Sequence, residues 1–222
     1  MTGADTRFIA VEGIDASGKS TQTDLLADRL RADGLTVEVR SFPRYGSFFG
    51  ERIRALLDGH RDGTEETAHT LDPRSMALWF AMDRWQSFRD PVRTDVVLLN
   101  RYTLSNAVYQ ASRLDGPAGD ELFGWILELE HGVLGLPRPH LTVVLDLDVA
   151  ASSARASDRA GRSGDEPDVY ERSMELLAAA RHRYVHAGDH VPGLHVVRVG
   201  NRGADEVAAD VWRLAGLPSA DR

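Results

Sequence analysis

Phe8-Ile-Ala-Val-Glu12 runs straight into Gly13-Ile-Asp-Ala-Ser-Gly18-Lys19-Ser20, and Ser20–Ala32 follows with Leu25, Leu26 and Leu30 at helical spacing. An apolar run, a loop of the pattern G-x-x-x-x-G-K-S and a helix stand in the order that makes a phosphate cradle. Glycines let the backbone wrap tightly and turn several N–H groups inward. The helix start adds the positive end of its dipole at the same point. The pattern assigns Gly13, Ile14, Asp15, Ala16, Ser17, Gly18, Lys19, Ser20 and Thr21 to the phosphates of ATP. Lys19 reaches the β- and γ-phosphates, and the Ser20 hydroxyl can ligate Mg2+. The 26 basic residues are 25 arginines and one lysine, Lys19. A compact ammonium on a flexible stem is a different tool from a planar guanidinium, so this lone lysine is expected to work in catalysis.

Four more short apolar runs follow, at 35–41, 95–99, 141–147 and 194–199. Their character suits strands buried on both faces of a parallel sheet. Helical patterns fill the gaps, at 50–57, 72–89, 102–112, 118–134, 149–157, 169–187 and 204–214. Asp72-Pro73 reads as an N-cap followed by proline at the first helical position, and Leu122, Trp125, Ile126 and Leu129 form one apolar stripe. Alternating strand and helix predict an α/β fold: a doubly wound, five-stranded parallel sheet with helices on both faces, of the P-loop kinase type. Ligands of such sheets sit at the carboxyl ends of the strands. Residues 157–167 hold two glycines, a proline and several charges, and read as an exposed loop.

The bulk properties narrow the field. The 222 residues, 42% hydrophobic, suit one domain spanning 1–222. With no cysteine, thiol catalysis and disulfides are excluded. A net charge of −8 argues against nucleic acid as the main partner. The first seven residues lack a signal-peptide core, and no apolar run is long enough to span a membrane. A cytoplasmic protein is the expectation.

A second set of residues falls at the other strand ends: Phe42-Pro-Arg44-Tyr45, then Phe80, Asp83 and Arg84 in the helix from 72, then Asn100-Arg101-Tyr102 with Ser105, Asn106 and Tyr109. Arginines there suit an acceptor that already carries a phosphate. Phe80 and Arg84, four apart, share a helix face; one can stack on a base while the other bonds its edge. A neutral hydroxyl acceptor wants a carboxylate base, and the second strand is followed by Pro-Arg instead. Asp15 is expected to act toward the metal or the acceptor. His182 and His186 lie four apart near a helix end and carry no metal assignment; Asp146 and Asp148 are expected to cap a helix.

At these residues the chain resembles the thymidylate kinases, over roughly residues 7–190. The likeness rests on Gly13–Ser20, Phe42–Tyr45, Phe80-Ala-Met-Asp-Arg84, Arg101-Tyr102 with Asn106 and Tyr109, Gly135-Leu-Pro-Arg-Pro139 and Asp168-Val-Tyr-Glu-Arg172. The resemblance implies Mg2+-dependent transfer from ATP to dTMP, and a homodimer packed through helices. It implies that Arg44 and Arg101 hold the monophosphate, with Asp15, Phe42, Tyr45 and Tyr170 around it. Phe80 would stack on thymine, Arg84 and Asn106 would read its edge, and Tyr109 would crowd the sugar 2′ position. Residues 157–167 would form a lid. Two departures stand out. The third strand ends Asn-Arg-Tyr where the family usually has Asp, which shifts metal electrostatics to Asp15 and Glu171 alongside Ser20. Ala16 stands where some members have arginine, which leaves Arg159 and Arg162 as the charge clamps. A kinase of another nucleotide or of a deoxynucleoside, or a nucleotide-binding protein without turnover, remain the alternatives.

Overall fold

Alternate residues of the first strand bury on opposite sides of the sheet, because both sides are covered by helices. The computed structural model describes residues 6–59, 66–163 and 168–216, without the side chains of residues 159, 160, 162 and 163. The strands are β1 (Arg7–Glu12), β2 (Val37–Ser41), β3 (Val96–Asn100), β4 (Leu141–Asp146) and β5 (Leu194–Arg198). They form one five-stranded sheet in the order β2-β3-β1-β4-β5. Every pairing is parallel.

The helices are α1 (Lys19–Ala32), α2 (Phe48–Asp58), α3 (Pro73–Ser87), α4 (Thr103–Ala111), α5 (Gly116–Leu127), α6 (Val149–Ser163), α7 (Met174–His186) and α8 (Ala204–Ala215). Ile9 and Val11 of β1 pack with Leu26 and Leu30 of α1 and Val207 and Val211 of α8. Phe8 and Ala10 face the other way, against Phe42 and Tyr102. On that side α2, α3, α4, α5 and α7 share a core through Ile53, Met76, Val108, Leu122 and Tyr184. Burying such aliphatic side chains at about 25 cal/mol per Å2 is the main force holding the layers together.

Three boundaries differ from the sequence expectation. The helix expected from 169 starts at Met174: Asp168 Oδ1 accepts from the N–H groups of Tyr170 and Glu171, both at 2.8 Å, which closes a turn, and Ser173 then caps α7. The helix expected to end at 157 continues to Ser163, so the first part of the expected lid loop is helical. Alanine and arginine are strong helix formers there. The rest of that segment, 164–167, and the side chains of Arg159 and Arg162 lie outside the described residues. Finally, α5 gives way to a π-helical turn over Glu128–Val133.

Gly50 shows how tightly α2 seats on the loop after β2. A Cβ there would lie 1.8 Å from the carbonyl oxygen of Arg44. Gly50→Ala is therefore expected to lower stability by about 2 kcal/mol or more, read as a drop in the urea midpoint.

Candidate functional site

The carboxyl ends of β1, β2 and β3 converge because these strands are neighbours in the sheet, so Gly13, Phe42 and Arg101 begin loops at one rim. Gly13, at φ 137°, hugs the sheet: a Cβ would meet the carbonyl oxygen of Leu145 at 2.6 Å. Gly18, also at positive φ, caps α1. Lys19 Nζ folds back to donate to the Ile14 carbonyl at 2.7 Å. Burial, then the nearby Arg101 charge, push the Lys19 ammonium down to about 7, against the pull of Asp15 and Glu12.

Beside this loop lies a cavity of about 690 Å3. Asp15, Phe42, Tyr45, Phe80, Arg84, Arg101, Asn106, Tyr109, Tyr170 and Glu171 all line it, so nearly every residue expected to meet the acceptor is brought together. Arg101 sits at φ 59°, a left-handed conformation that costs a non-glycine residue free energy. That turn aims its guanidinium at Asp15 of the glycine-rich loop, and the two form an ion pair. Burial disfavours the charge of Arg101, but Asp15 beside it holds the guanidinium protonated well above its ordinary range. The other Asp15 oxygen accepts from the Tyr109 hydroxyl at 2.7 Å. Asp15 is thus engaged by Arg101 and Tyr109, which makes it an anchor for the arginine before it is a metal ligand. Tyr109 stacks on Tyr170 with centroids 5.9 Å apart.

Arg84 is fully buried. Its Nε and Nη2 donate to the two oxygens of Glu130 at 2.5 and 2.6 Å. Asn106 Nδ2 donates to the carbonyl of Ala77 at 3.0 Å and to Glu130 at 2.8 Å. Its Oδ1 is buried and has no partner among the described residues. A buried acceptor left unsatisfied costs roughly 1–3 kcal/mol, so Oδ1 gains from a ligand donor that reaches it once the side chain shifts toward the cavity. Gln110, one turn further along α4, also lines the cavity and has a buried Nε2 without a partner among the described residues.

Arg44 departs from expectation. Its guanidinium is held at α3, where Nε meets Asp83 Oδ1 at 3.1 Å and Nη2 meets Gln86 at 3.1 Å. Asp83 is itself almost wholly buried and needs that cation. Arg44 does not line the cavity. Arg54 of α2 does, its guanidinium 4.7 Å over the Tyr45 ring. The sequence held a weak signal for it: in Arg52-Ile-Arg54-Ala-Leu-Leu57 an arginine stands next to the buried positions Ile53 and Leu57.

Acids also line the cavity, Asp168 and Glu171 among them. Burial, followed by the Asp15 and Glu171 charges, raises the Asp168 carboxyl to about 7 against two backbone N–H bonds. Glu12, at the end of β1, binds Ser105 Oγ at 2.5 Å and the Tyr102 N–H at 2.8 Å; it ties the start of α4 to β1, and burial pushes its carboxyl up. At the start of α1 the Ser20 hydroxyl is exposed and accepts from Asn100 Nδ2 at 3.1 Å, while Asn100 Oδ1 is buried without a partner among the described residues. No group of three or more His, Asp or Glu among the described residues could hold a metal by itself. The exposed Ser20 hydroxyl and the neighbouring Asn100 amide fit a Mg2+ ion that arrives with phosphate oxygens and keeps its waters, the usual habit of that ion.

Comparison with known proteins gives one family throughout. The model of the thymidylate kinase family matches residues 11–202. Thymidylate kinase of Mycobacterium tuberculosis is 36% identical over 179 residues, which cover 76% of this chain and 79% of that protein. A probable thymidylate kinase of Thermococcus gammatolerans is 31% identical over 200 residues, covering 87% and 88%. The structure of thymidylate kinase from Candida albicans shares the fold, with a TM-score of 0.71 at 24% identity, covering 96% of this chain and 92% of that one.

Proposed function

The chain belongs to the thymidylate kinase family and phosphorylates dTMP to dTDP at the expense of ATP, and we propose that the cavity beside the glycine-rich loop holds the acceptor. The observation that carries this reading is the Arg101–Asp15 pair, which joins the phosphate cradle to the cavity that Phe80, Arg84 and Asn106 line.

A phosphate acceptor is already ionised and needs no base. The obstacle is repulsion between two anions, and fixed positive charge offsets it. Lys19 neutralises the donor phosphates. Arg101 lies between donor and acceptor and serves both. Phe80 packs on the base, Tyr109 and Tyr170 wall in the sugar, and Arg84 with Asn106 bonds the base edge. Ser20, with Asp15, Asn100 and Glu171, would hold a Mg2+ ion, which would supply charge neutralisation for the phosphates. The chain is read as a single catalytic unit. The exposed Phe48 and Leu78, on α2 and α3, offer an apolar face for a second copy of the chain. No helix among the described residues is long and apolar enough to cross a membrane, and a cytoplasmic location goes with nucleotide synthesis.

A coupled ADP-release assay across dTMP, dUMP, dCMP and thymidine tests the reading. The expected order puts dTMP first; faster turnover of thymidine than of dTMP would overturn it. Two arginines are separated by the same assay. Arg54→Ala is expected to raise the KM for dTMP about tenfold, because it removes from the cavity wall a cation that has no acidic partner among the described residues, a change worth roughly 1.4 kcal/mol. Arg44→Ala is expected to lower Tm, since it leaves buried Asp83 uncompensated, with a smaller change in that KM.

A further inference from the structure

We infer that Glu130 is the positioning residue that sets the polarity of the base-reading edge, so that the cavity takes a pyrimidine with a protonated N3; this rests on the reading of the cavity as the dTMP site. Glu130 is fully buried, and nothing in the transfer chemistry itself requires it. It stands four residues after Ile126, where the apolar stripe of α5 would continue and an acid is out of place. The π-turn that carries it is pinned from both ends. Leu134 N–H bonds the Leu129 carbonyl at 2.8 Å and Leu136 N–H bonds the Glu130 carbonyl at 2.9 Å. His131 bridges Leu136 O and the Thr103 hydroxyl, both at 3.0 Å. Burial lowers the His131 pKa, which favours the neutral ring; its Nδ1 then donates to the carbonyl and its Nε2 accepts. π-turns inserted into α-helices are often found at functional sites.

The carboxylate uses both oxygens. One accepts from Arg84 Nε, and the other accepts from Arg84 Nη2 and Asn106 Nδ2. Two consequences follow. Arg84 is held with only Nη1 left unbonded among the described residues. Asn106 is committed with its amino group toward Glu130 and the Ala77 carbonyl, which leaves Oδ1 as the unsatisfied atom. Glu130 therefore fixes Arg84 as a donor and leaves Oδ1 as the free end of the Asn106 amide; that oxygen is covered by protein, so it meets a base donor once the side chain shifts toward the cavity. That pattern complements the imide edge of thymine, in which N3 donates and the flanking carbonyls accept. Cytosine presents an acceptor at N3 and a donor at N4, and would set like against like. A site built to bond a given group discriminates strongly against an analogue that cannot make the bond.

The test compares wild type, Glu130→Gln and Glu130→Asp by kcat/KM for dTMP and dCMP at saturating ATP, with thermal melts to verify folding. A glutamine can present its amide N–H to Asn106 and let that side chain turn, although Ala77 still favours the original orientation. The dTMP-over-dCMP ratio of Glu130→Gln is expected to fall at least tenfold, through KM for dTMP more than through kcat, with KM for ATP within twofold of wild type. Glu130→Asp keeps the charge that buried Arg84 needs but cannot reach both partners; it is expected to lose at least threefold in the same ratio, and it decides the matter if the glutamine variant does not fold. A ratio within twofold of wild type in a folded variant, or equal losses for both acceptors, would overturn the role of Glu130 while leaving the dTMP reading intact. A wild type that does not prefer dTMP over dCMP would overturn both.

Discussion

Lys19→Met is expected to lower turnover by more than about 100-fold while leaving the fold in place. Methionine matches the length of the lysine stem and fills the same buried space. What it removes is a charge that the protein holds under unusual conditions. Burial and the Arg101 charge push the Lys19 ammonium down to about 7, so near pH 8 much of it is neutral in the free enzyme. Bound triphosphate brings negative charge to Nζ and raises that pKa again. ATP binding at pH 8 is therefore expected to take up a proton, measured by calorimetry in buffers of different ionisation enthalpy. Lys19→Met is expected to bind ATP without that uptake. Uptake that persists in the variant would mean that another group titrates.

Arg101→Ala is expected to cost about 1,000-fold or more in kcat/KM for dTMP, the scale of a cation serving a transferring phosphoryl group. Two effects add. The loss removes a cation shared by donor and acceptor. It also removes the Arg101 charge beside Asp15, so more of that carboxylate's charge is felt by two anionic substrates. Arg101→Lys is expected to recover less than a tenth of the loss, because an ammonium cannot reach Asp15 and a phosphate with separate parallel bonds. A loss below tenfold in steady-state kinetics for Arg101→Ala would remove this residue from the centre of the mechanism.

The sheet was legible because its strands are short and rich in β-branched residues, because the central β1, β3 and β4 are buried on both faces, and because the glycine loop places the first of them. The cavity wall was largely legible too, since β1, β2 and β3 are neighbours and their loops must meet. The failures have local causes. Asp168 turns the chain with its own side chain, so an apolar spacing that begins at 169 does not begin a helix until Met174. Arg44 is drawn away from the cavity by Asp83, which lies 39 residues along the chain; no local pattern reveals that pairing. Arg54 was overlooked because an arginine on an exposed helix face looks like a solvated one until the loop before it folds back. Glu130 carried a visible signal, an acid on an apolar stripe, but its partners Arg84 and Asn106 come from two other helices.

The most direct measurement is a crystal structure with a bisubstrate ligand that joins adenosine to thymidine through an oligophosphate chain. The account predicts the thymine ring against Phe80, its N3 within hydrogen-bond distance of Asn106 Oδ1, and the phosphate chain running past Arg101 to Lys19. A thymidine moiety bound outside the cavity, or a phosphate chain that bypasses Arg101, would contradict it.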